Sequence, residues 1–292
     1  ILDAIIIYST ETETESVHYF EVEMFNINKE NTDLLNVAKV QEYLSFVAPV
    51  PYKNTFILRN QIYDYAKSID YNIDEYCVKV NGSLIFKEYT TRLKEQSGSA
   101  LKNYDEISNL EFKDFRDSLG NLIAWMWIGL SRFEKQIPSV NHMRGLRVRS
   151  ANIQVGEDDS LQGLFKESRG NYYFVGEVFA ISSTLIPNSQ RDYFNENETR
   201  VLFEDLLREY FYDVLHKLYY EANRVKNDYK RQEEYLSKVA EYQKKEKEQG
   251  FISEDERRKL QFDIDKAKKN AEEARKRLDR IDNSDSTSPL SV

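Results

Sequence analysis

Cysteine, histidine and glycine are scarce in this 292-residue chain, and each scarcity excludes a class of protein. A single cysteine, Cys77, can support neither a disulfide scaffold nor a cysteine-ligated zinc site. Three scattered histidines argue against a histidine-ligated metal, so no metal site is expected. The ten glycines form neither a G-x-G-x-x-G nor a G-x-x-x-x-G-K-S/T pattern, which excludes Rossmann and P-loop nucleotide sites.

Long apolar runs and positive charge are also in short supply. The longest apolar candidate, Leu122 to Leu130, is too short to span a bilayer, so we expect a cytoplasmic protein without membrane contact. The 41 Lys and Arg against 50 Asp and Glu give a net charge of −9, which disfavours nucleic acid as a partner but leaves room for a local basic patch. Aromatic residues are abundant instead, with 20 Tyr and 16 Phe to build cores.

Clustered and alternating apolar residues predict an α+β fold over the first part of the chain. We expect a strand pair over 1–28 and a polar loop over 91–105. Asn36 is suited to cap a helix over 36–47, and Asn81-Gly82 is a strong β-hairpin signal. The other predicted elements are a helix over 57–69, a hairpin over 107–115 and 122–131, and strands over 144–155 and 172–181.

The last third of the chain has the period of long paired helices. An amphipathic helix is predicted over 201–218, and beyond it the spacing alternates between four and three residues, as in a coiled coil. The predicted seam residues are Leu215, Leu218, Ala222, Val225, Tyr229, Gln232, Leu236, Val239 and Gln243, and then Leu260, Ile264, Ala267, Ala271, Ala274, Leu278 and Ile281.

A break separates these two seams. Gly250 interrupts the repeat, and Ser253 with Glu256 forms a capping box for a new helix. We therefore predict an antiparallel coiled-coil hairpin with arms over 215–248 and 254–281. The polar tail over 282–292 is expected to be disordered.

The segment from Arg144 to Phe194 holds most of the polar residues that could act on a ligand. It opens with R-G-L-R-V-R, which places basic groups on one face of a strand. Arg144, Arg147 and Arg149 are therefore either ligand-binding residues or a solvated strand face. The sequence contains no arrangement that resembles a Ser/His/Asp or Cys/His catalytic set.

A second polar group follows Pro187, in a predicted loop just before a helix. Asn188 is either a ligand-facing residue or a simple turn residue. Arg191 is either a ligand-facing residue or a surface arginine that pairs with Asp192 or Glu196. The residues alone do not separate these alternatives.

Four segments together resemble a known family. They are VQEYLSFVAPVPY (40–52), VKVNGSLIFKEY (78–89), GLRVRSANIQVGE (145–157) and YYFVGEVFAISSTLIPNSQRDYF (172–194). The region over about 34–215 resembles the middle, or transducer, region of GHKL-type ATPases, which include gyrase, heat-shock chaperones, histidine kinases and MutL. It is most similar to prokaryotic relatives of the ninety-kilodalton heat-shock chaperones.

The resemblance implies both a fold and a site. The middle domain of such proteins has a left-handed βαβ fold first seen in a ribosomal protein, and one of its loops reaches into the nucleotide site of the preceding domain. An N-x-x-R element in that loop places its arginine on the γ-phosphate, and the matching residues are Asn188 and Arg191. Asn195 stands where the chaperones have a nucleotide-contacting glutamine, so this position departs from the family pattern.

The ATP-binding motifs of the family are missing from this chain. It has no acidic/Asn helix motif, no D-x-G-x-G turn and no glycine-rich lid, and it begins at Ile1 without Met. We therefore expect residues 1–33 to be the last strands of an ATP-binding domain, 34–200 a transducer domain and 201–281 the long helix and coiled coil.

Function follows from this division as an expectation. The longer protein would bind ATP and Mg²⁺ in its preceding domain and close on a partner as a homodimer, while this chain alone would bind neither. The coiled coil would contact an unknown protein partner. The alternative is a non-catalytic protein–protein interaction module in which the helical hairpin is the working surface.

Overall fold

Along the computed structural model, which describes residues 22–25 and 27–282, two α-helices are followed by nine strands and then by three further α-helices. The strands are β1 (Lys79–Val80), β2 (Ser83–Leu84), β3 (Arg92–Ser97), β4 (Ala100–Glu106), β5 (Asn109–Arg116), β6 (Leu122–Leu130), β7 (Gly145–Ser150), β8 (Ile153–Val155) and β9 (Val175–Ala180). The α-helices are α1 (Val37–Val47), α2 (Arg59–Ser68), α3 (Glu198–Tyr210), α4 (His216–Lys244) and α5 (Glu254–Asp282). The fold is therefore mixed α and β, with a helical C-terminal region.

A five-stranded sheet in the order β5-β6-β9-β7-β8 organises the first part of the chain. Strands β7 and β9 are parallel, and the other neighbours in this sheet are antiparallel. The connection from β7 to β9 contains β8 and the 3₁₀ turns Gln162–Leu164 and Ser168–Tyr173, all of them described. Because it contains no α-helix, this parallel pair does not form the βαβ unit that the resemblance implies.

Both faces of the sheet are buried, which is why β6 and β9 are almost wholly apolar. One face carries Met126, Val148 and Val178 and packs on α3 and the start of α4. The opposite face carries Trp125 and packs on the segment that contains α2. This second face also carries the charged residues described below.

The N-terminal helix and the first hairpin follow the sequence prediction. The Asn36 side chain accepts hydrogen bonds from the amides of Ala38 and Lys39, so it caps α1. Asn81 and Gly82 both have positive φ, at 49° and 82°, and they join β1 to β2.

The loop predicted over 91–105 is wrong, because β3 and β4 form a hairpin there. The ribbon is polar because its side chains are mostly exposed, while Leu93 is fully buried and anchors it. Cys77 is exposed. The first strand predicted over 1–28 lies outside the described residues, and the described stretch 22–25 of the second is exposed and is not a strand.

Helices α3 and α4 are joined without a break by a π-helical turn, Phe211–Leu215, and α5 runs back along α4. Asp228 contacts Arg277, and Lys245 contacts Glu256 near the turn at Gly250, so the two long helices are antiparallel. Among the described residues 22–25 and 27–282, every helix is too short or too polar to span a bilayer.

The residues of α4 that face α5 are not all those of the predicted seam. Tyr229 and Leu236 are 56% and 63% exposed, so the first-arm seam is wrong at these positions. Asp228 is buried in place of Tyr229, because its carboxylate binds Arg277 of α5 and fixes the rotation of α4. Over residues 254–278 of α5, the buried residues are Ile264, Ala267, Ala271, Ala274 and Leu278.

Candidate functional site

The loop predicted to sense phosphate is a tight turn with a fixed backbone. Pro187 and Phe194 pair in an antiparallel bridge, and the Asn188 amide donates to the Tyr193 carbonyl at 2.9 Å. The Arg191 amide closes the turn by donating to the Asn188 carbonyl at 3.0 Å. Phe194 is buried in the core that α3 shares with the sheet, so the turn is anchored at its base.

Arg191 lies at the exposed tip of this turn in the left-handed conformation, with φ at 54°. The Asp192 carboxylate instead accepts a hydrogen bond from the Asn188 side-chain amide at 2.5 Å. Within the part of the chain that the structure describes, Arg191 has no carboxylate at ion-pair distance, so the expected surface pair is not formed. Asn195 is also exposed, and its amide donates to the Ile186 carbonyl at 2.9 Å.

The arginines of the R-G-L-R-V-R segment do not form a solvated strand face. Arg147 and Arg149, on β7, are 7% and 0% exposed, because α1 covers the face that carries them. Phe46 of α1 contacts both side chains, through its ring to Arg147 and through its carbonyl to Arg149. Arg144 precedes the strand and is partly exposed, with its guanidinium 4.2 Å from the centroid of the Tyr172 ring.

A fully buried ionic cluster lies on the same face of the sheet. The Glu177 carboxylate, on β9, accepts hydrogen bonds from Arg149 Nε at 2.8 Å and Lys87 Nζ at 3.0 Å. The hydroxyls of Tyr52 and Tyr89 donate to the same carboxylate, the latter at 3.0 Å. This cluster ties the segment before α2 and the segment after β2 to the centre of the sheet.

The turn between β7 and β8 contributes a further polar group. Ala151 and Asn152 have φ values of 49° and 60°, which a two-residue hairpin turn requires. The Asn152 side chain is fully buried; it accepts from Lys87 Nζ at 2.7 Å and donates to the Asp74 carbonyl at 2.6 Å. Asn152 therefore has two roles. It tolerates the left-handed backbone that the turn requires, and its side chain accepts a hydrogen bond from the buried Lys87.

The cluster holds two potential cations against one anion, and this imbalance shifts its protonation. Burial lowers the pKa of Lys87 to about 7, and the neighbouring Arg149 guanidinium adds to the effect. Burial disfavours the ionised Glu177 carboxylate, but Arg149 and Lys87 outweigh burial and hold its pKa at about 2. Burial, together with the Glu177 charge, keeps the pKa of Tyr52 far above its usual value, so its hydroxyl stays a donor.

A cavity of about 370 Å³ lies between α1 and the start of β7. Arg144 and Arg147 line it together with the acidic residues Glu42, Glu157 and Asp158, so its charges are mixed. Within residues 22–25 and 27–282 no cluster of His, Cys, Asp and Glu could hold a metal ion. The cavity therefore does not select one class of ligand.

The sequence predicts Asn188 and Arg191 as site residues but does not predict the buried cluster. A signal was present, since Glu177 is a lone acid inside an apolar strand and Lys87 stands within L-I-F-K. The sequence also does not predict a role for Gln154, whose side chain links the buried Arg147 to Gly156. No match was found between this chain and any family model, curated protein or solved structure.

Proposed function

We propose that this chain is the transducer and coiled-coil part of a GHKL-type ATPase related to the ninety-kilodalton heat-shock chaperones. In this proposal it couples ATP binding and hydrolysis in a preceding domain to closure of the protein on a partner. ATP and Mg²⁺ bind in that preceding domain, and Asn188 and Arg191 act on the nucleotide from this chain. The working assembly is a homodimer.

The presentation of Arg191 carries this proposal. Its backbone is held by hydrogen bonds within the turn and by the Gly156 amide, which donates to the Arg191 carbonyl at 2.7 Å. The side chain nevertheless extends from an exposed tip and has no carboxylate partner among the described residues. A surface arginine that served stability would contribute more to it if it had a carboxylate partner. An arginine that binds a phosphate works best with a rigid backbone and an unpaired guanidinium.

An arginine also has the right chemistry for this role. The γ-phosphate oxygens carry charge during transfer, and a guanidinium offers planar, bidentate donors that remain charged at all working pH values. Because Arg191 would come from outside the ATP-binding domain, its arrival would depend on closure of one domain on the other. Hydrolysis and movement would then be coupled.

The rest of the architecture supports the proposal in part. We propose that α4 and α5 form a coiled-coil hairpin, supported by their antiparallel contacts and by the buried apolar stripe of α5. The mixed sheet with helices on both faces suits a transducer domain. The helix-free connection between β7 and β9 departs from the family pattern, so the support rests on the turn and not on that unit.

The decisive experiment uses the proposed longer protein, in which an ATP-binding domain precedes this chain. Arg191→Ala is expected to lower the steady-state ATP turnover at least about tenfold while the melting temperature stays unchanged. Arg191→Lys is expected not to restore turnover, because an ammonium lacks the planar fork. Arg169→Ala is the matched control, since Arg169 is also exposed but pairs with Glu167 on another loop.

Two results would contradict the proposal. Normal turnover of Arg191→Ala at an unchanged melting temperature would reduce Arg191 to an ordinary surface residue. Micromolar binding of Mg²⁺-ATP to the 292-residue chain alone, measured by titration calorimetry, would show that the nucleotide site does not need a preceding domain.

A second candidate is a non-catalytic interaction module that works through the helical pair. It is favoured by one observation, the exposure of Tyr229, Leu236 and Phe262 at 56%, 63% and 68% on the two long helices. Large apolar side chains spaced along a helix pair are typical of surfaces that bind another helix. Intact turnover of Arg191→Ala combined with loss of partner capture in a Leu236→Lys variant would favour this module.

A further inference from the structure

Gly156 is the residue on which the Arg191 turn rests. Its amide donates to the Arg191 carbonyl at 2.7 Å, and its own carbonyl accepts from Gln154 Nε2 at 2.8 Å. Its φ is +69°, and a Cβ atom at this position would contact the Ser160 hydroxyl and would lie 2.6 Å from the Asp192 carbonyl oxygen. The backbone on both sides of Gly156 is therefore held, and the turn approaches it as closely as a glycine allows.

The orientation of the Gln154 side chain is fixed by Arg147. The Gln154 carbonyl Oε1 accepts from Arg147 Nη1 at 3.0 Å, and both side chains are buried. A guanidinium has donors and no acceptor, so the oxygen of the amide must face Arg147. The amide NH₂ group must then face the Gly156 carbonyl, as observed.

Burial of the Arg147 guanidinium costs free energy, so stability alone does not explain an arginine at this position. Among the described residues it has no carboxylate partner at ion-pair distance, and its buried Nε has no hydrogen-bond partner. Its second terminal nitrogen donates to the His142 carbonyl at 2.5 Å, and its guanidinium lies 4.4 Å from the centroid of the Phe46 ring. A buried, unpaired cation of this kind is disfavoured relative to a well-packed apolar residue.

We infer that Arg147 and Gln154 are positioning residues for Arg191. Neither residue touches a nucleotide in this arrangement. Arg147 orients Gln154, Gln154 holds the Gly156 peptide, and Gly156 holds the Arg191 backbone so that the guanidinium meets the phosphate in one geometry. The role in turnover rests on the proposed function of Arg191, whereas the mechanical link to the turn rests on the hydrogen bonds alone.

Gln154→Glu separates this role from a merely structural one. The glutamate is isosteric, and its carboxylate pairs with the buried Arg147, so folding is preserved or strengthened. It has no N–H to donate, however, and its second oxygen opposes the Gly156 carbonyl oxygen. The matched control is Gln96→Glu, because Gln96 Nε2 donates to the Gly98 carbonyl at 2.7 Å in an exposed hairpin far along the chain.

The first measurement is amide hydrogen exchange on the 292-residue chain. In Gln154→Glu the Gly156 amide is expected to exchange at least about tenfold faster, while amides of β9 are unchanged and the melting temperature is not lowered. Gln96→Glu should leave the Gly156 amide as it is. Unchanged protection of Gly156 in Gln154→Glu would overturn the inference without reference to any activity.

The second measurement is ATP turnover of the longer protein. Gln154→Glu is expected to lower kcat at least about tenfold with less than about threefold change in KM, because binding of ATP by its own domain is untouched. If Arg191→Ala lowers turnover but Gln154→Glu does not, the positioning role fails and the proposed function stands. If Arg191→Ala leaves turnover intact, the proposed function fails, and faster exchange at Gly156 would still support the mechanical link.

Discussion

Arg149 and Glu177 are both completely buried, and they meet across the parallel strands β7 and β9, with Arg149 Nε 2.8 Å from Glu177 Oε1. Lys87 approaches the other oxygen of the same carboxylate. One anion therefore compensates two potential cations inside the protein, and this imbalance gives the three residues unequal effects on stability.

Glu177→Gln should be the most damaging change in the cluster. It leaves Arg149 and Lys87 buried without a counter-charge, and loss of one partner of a buried ion pair costs about 3–5 kcal/mol. Lys87→Met should cost clearly less, because Arg149 and Glu177 remain as a balanced pair. Urea unfolding of both variants measures the difference, with the exposed-pair variant Arg208→Ala as a control expected within ~0.5 kcal/mol of the unchanged protein. The reverse order of Glu177→Gln and Lys87→Met would show that charge balance does not govern the cluster.

Lys87 should make stability depend on pH above neutrality. Burial lowers its pKa in the folded protein to about 7, below its unfolded value near 10.5, so the unfolded state binds more protons between these values. Stability therefore rises as pH increases from about 7 to 9.5, by at most about 1.4 kcal/mol per pH unit. Above this range, ionisation of tyrosines in the unfolded state begins to oppose the rise, because burial raises the pKa of Tyr52 in the folded protein.

The charges that face Lys87 are Arg149 and Glu177, with Glu75 contributing from the segment after α2. Lys87→Met removes the titrating group and should flatten the rise in stability over this pH range. The urea midpoints of the unchanged protein and of Lys87→Met are measured at pH 7.0 and at pH 9.5. The change with pH in the difference between the two proteins isolates the effect of Lys87 from that of other groups. If stability changes with pH in the same way in both proteins, the pKa of Lys87 is not lowered in the folded protein.

Local signals explain what could be predicted from the sequence. Asn36 caps α1 and Asn81-Gly82 turns the first hairpin because both depend on the residues beside them. The hairpin of β3 and β4 was missed because an exposed ribbon needs no alternating apolar pattern. Tyr229 was placed in the helical seam because apolar spacing alone does not register the ion pair that buries Asp228.

The candidate site divides in the same way. Asn188 and Arg191 lie in one short turn and could be selected by their spacing. Lys87 and Glu177 are 90 residues apart in the chain, and their contact follows from strand order, which the sequence does not reveal. The support of Arg191 by Gly156 is likewise non-local, because it depends on where β8 ends.

Asp228 and Arg277 should couple the two long helices. The buried Asp228 carboxylate accepts from Arg277 at 2.7 and 2.9 Å, and these hydrogen bonds lower the pKa of Asp228. The stabilisation is therefore present above the unfolded pKa of an aspartate and is lost as pH falls below it. A double-mutant cycle of Asp228→Asn and Arg277→Met should give a coupling at least about twice that of the more exposed Glu234–Lys238 pair. Equal coupling in the two cycles would mean that the contact does not define the rotation of α4.

The close contact of Gly156 with the Arg191 turn can be tested without a nucleotide. Gly156 and Gly120 both have positive φ, at +69° and +87°. A Cβ added at Gly156 meets the Ser160 hydroxyl and, at 2.6 Å, the Asp192 carbonyl oxygen, whereas a Cβ added at Gly120 meets nothing within 4 Å. Gly120→Ala should therefore cost only the backbone penalty of about 1–2 kcal/mol. Gly156→Ala adds a steric clash and should cost about 2–4 kcal/mol in total. It should also displace the Arg191 turn, which a crystal structure or the exchange rate of the Arg191 amide would detect. Equal stability losses in the two variants, with the turn unmoved, would show that Gly156 and the Arg191 turn are not in close contact.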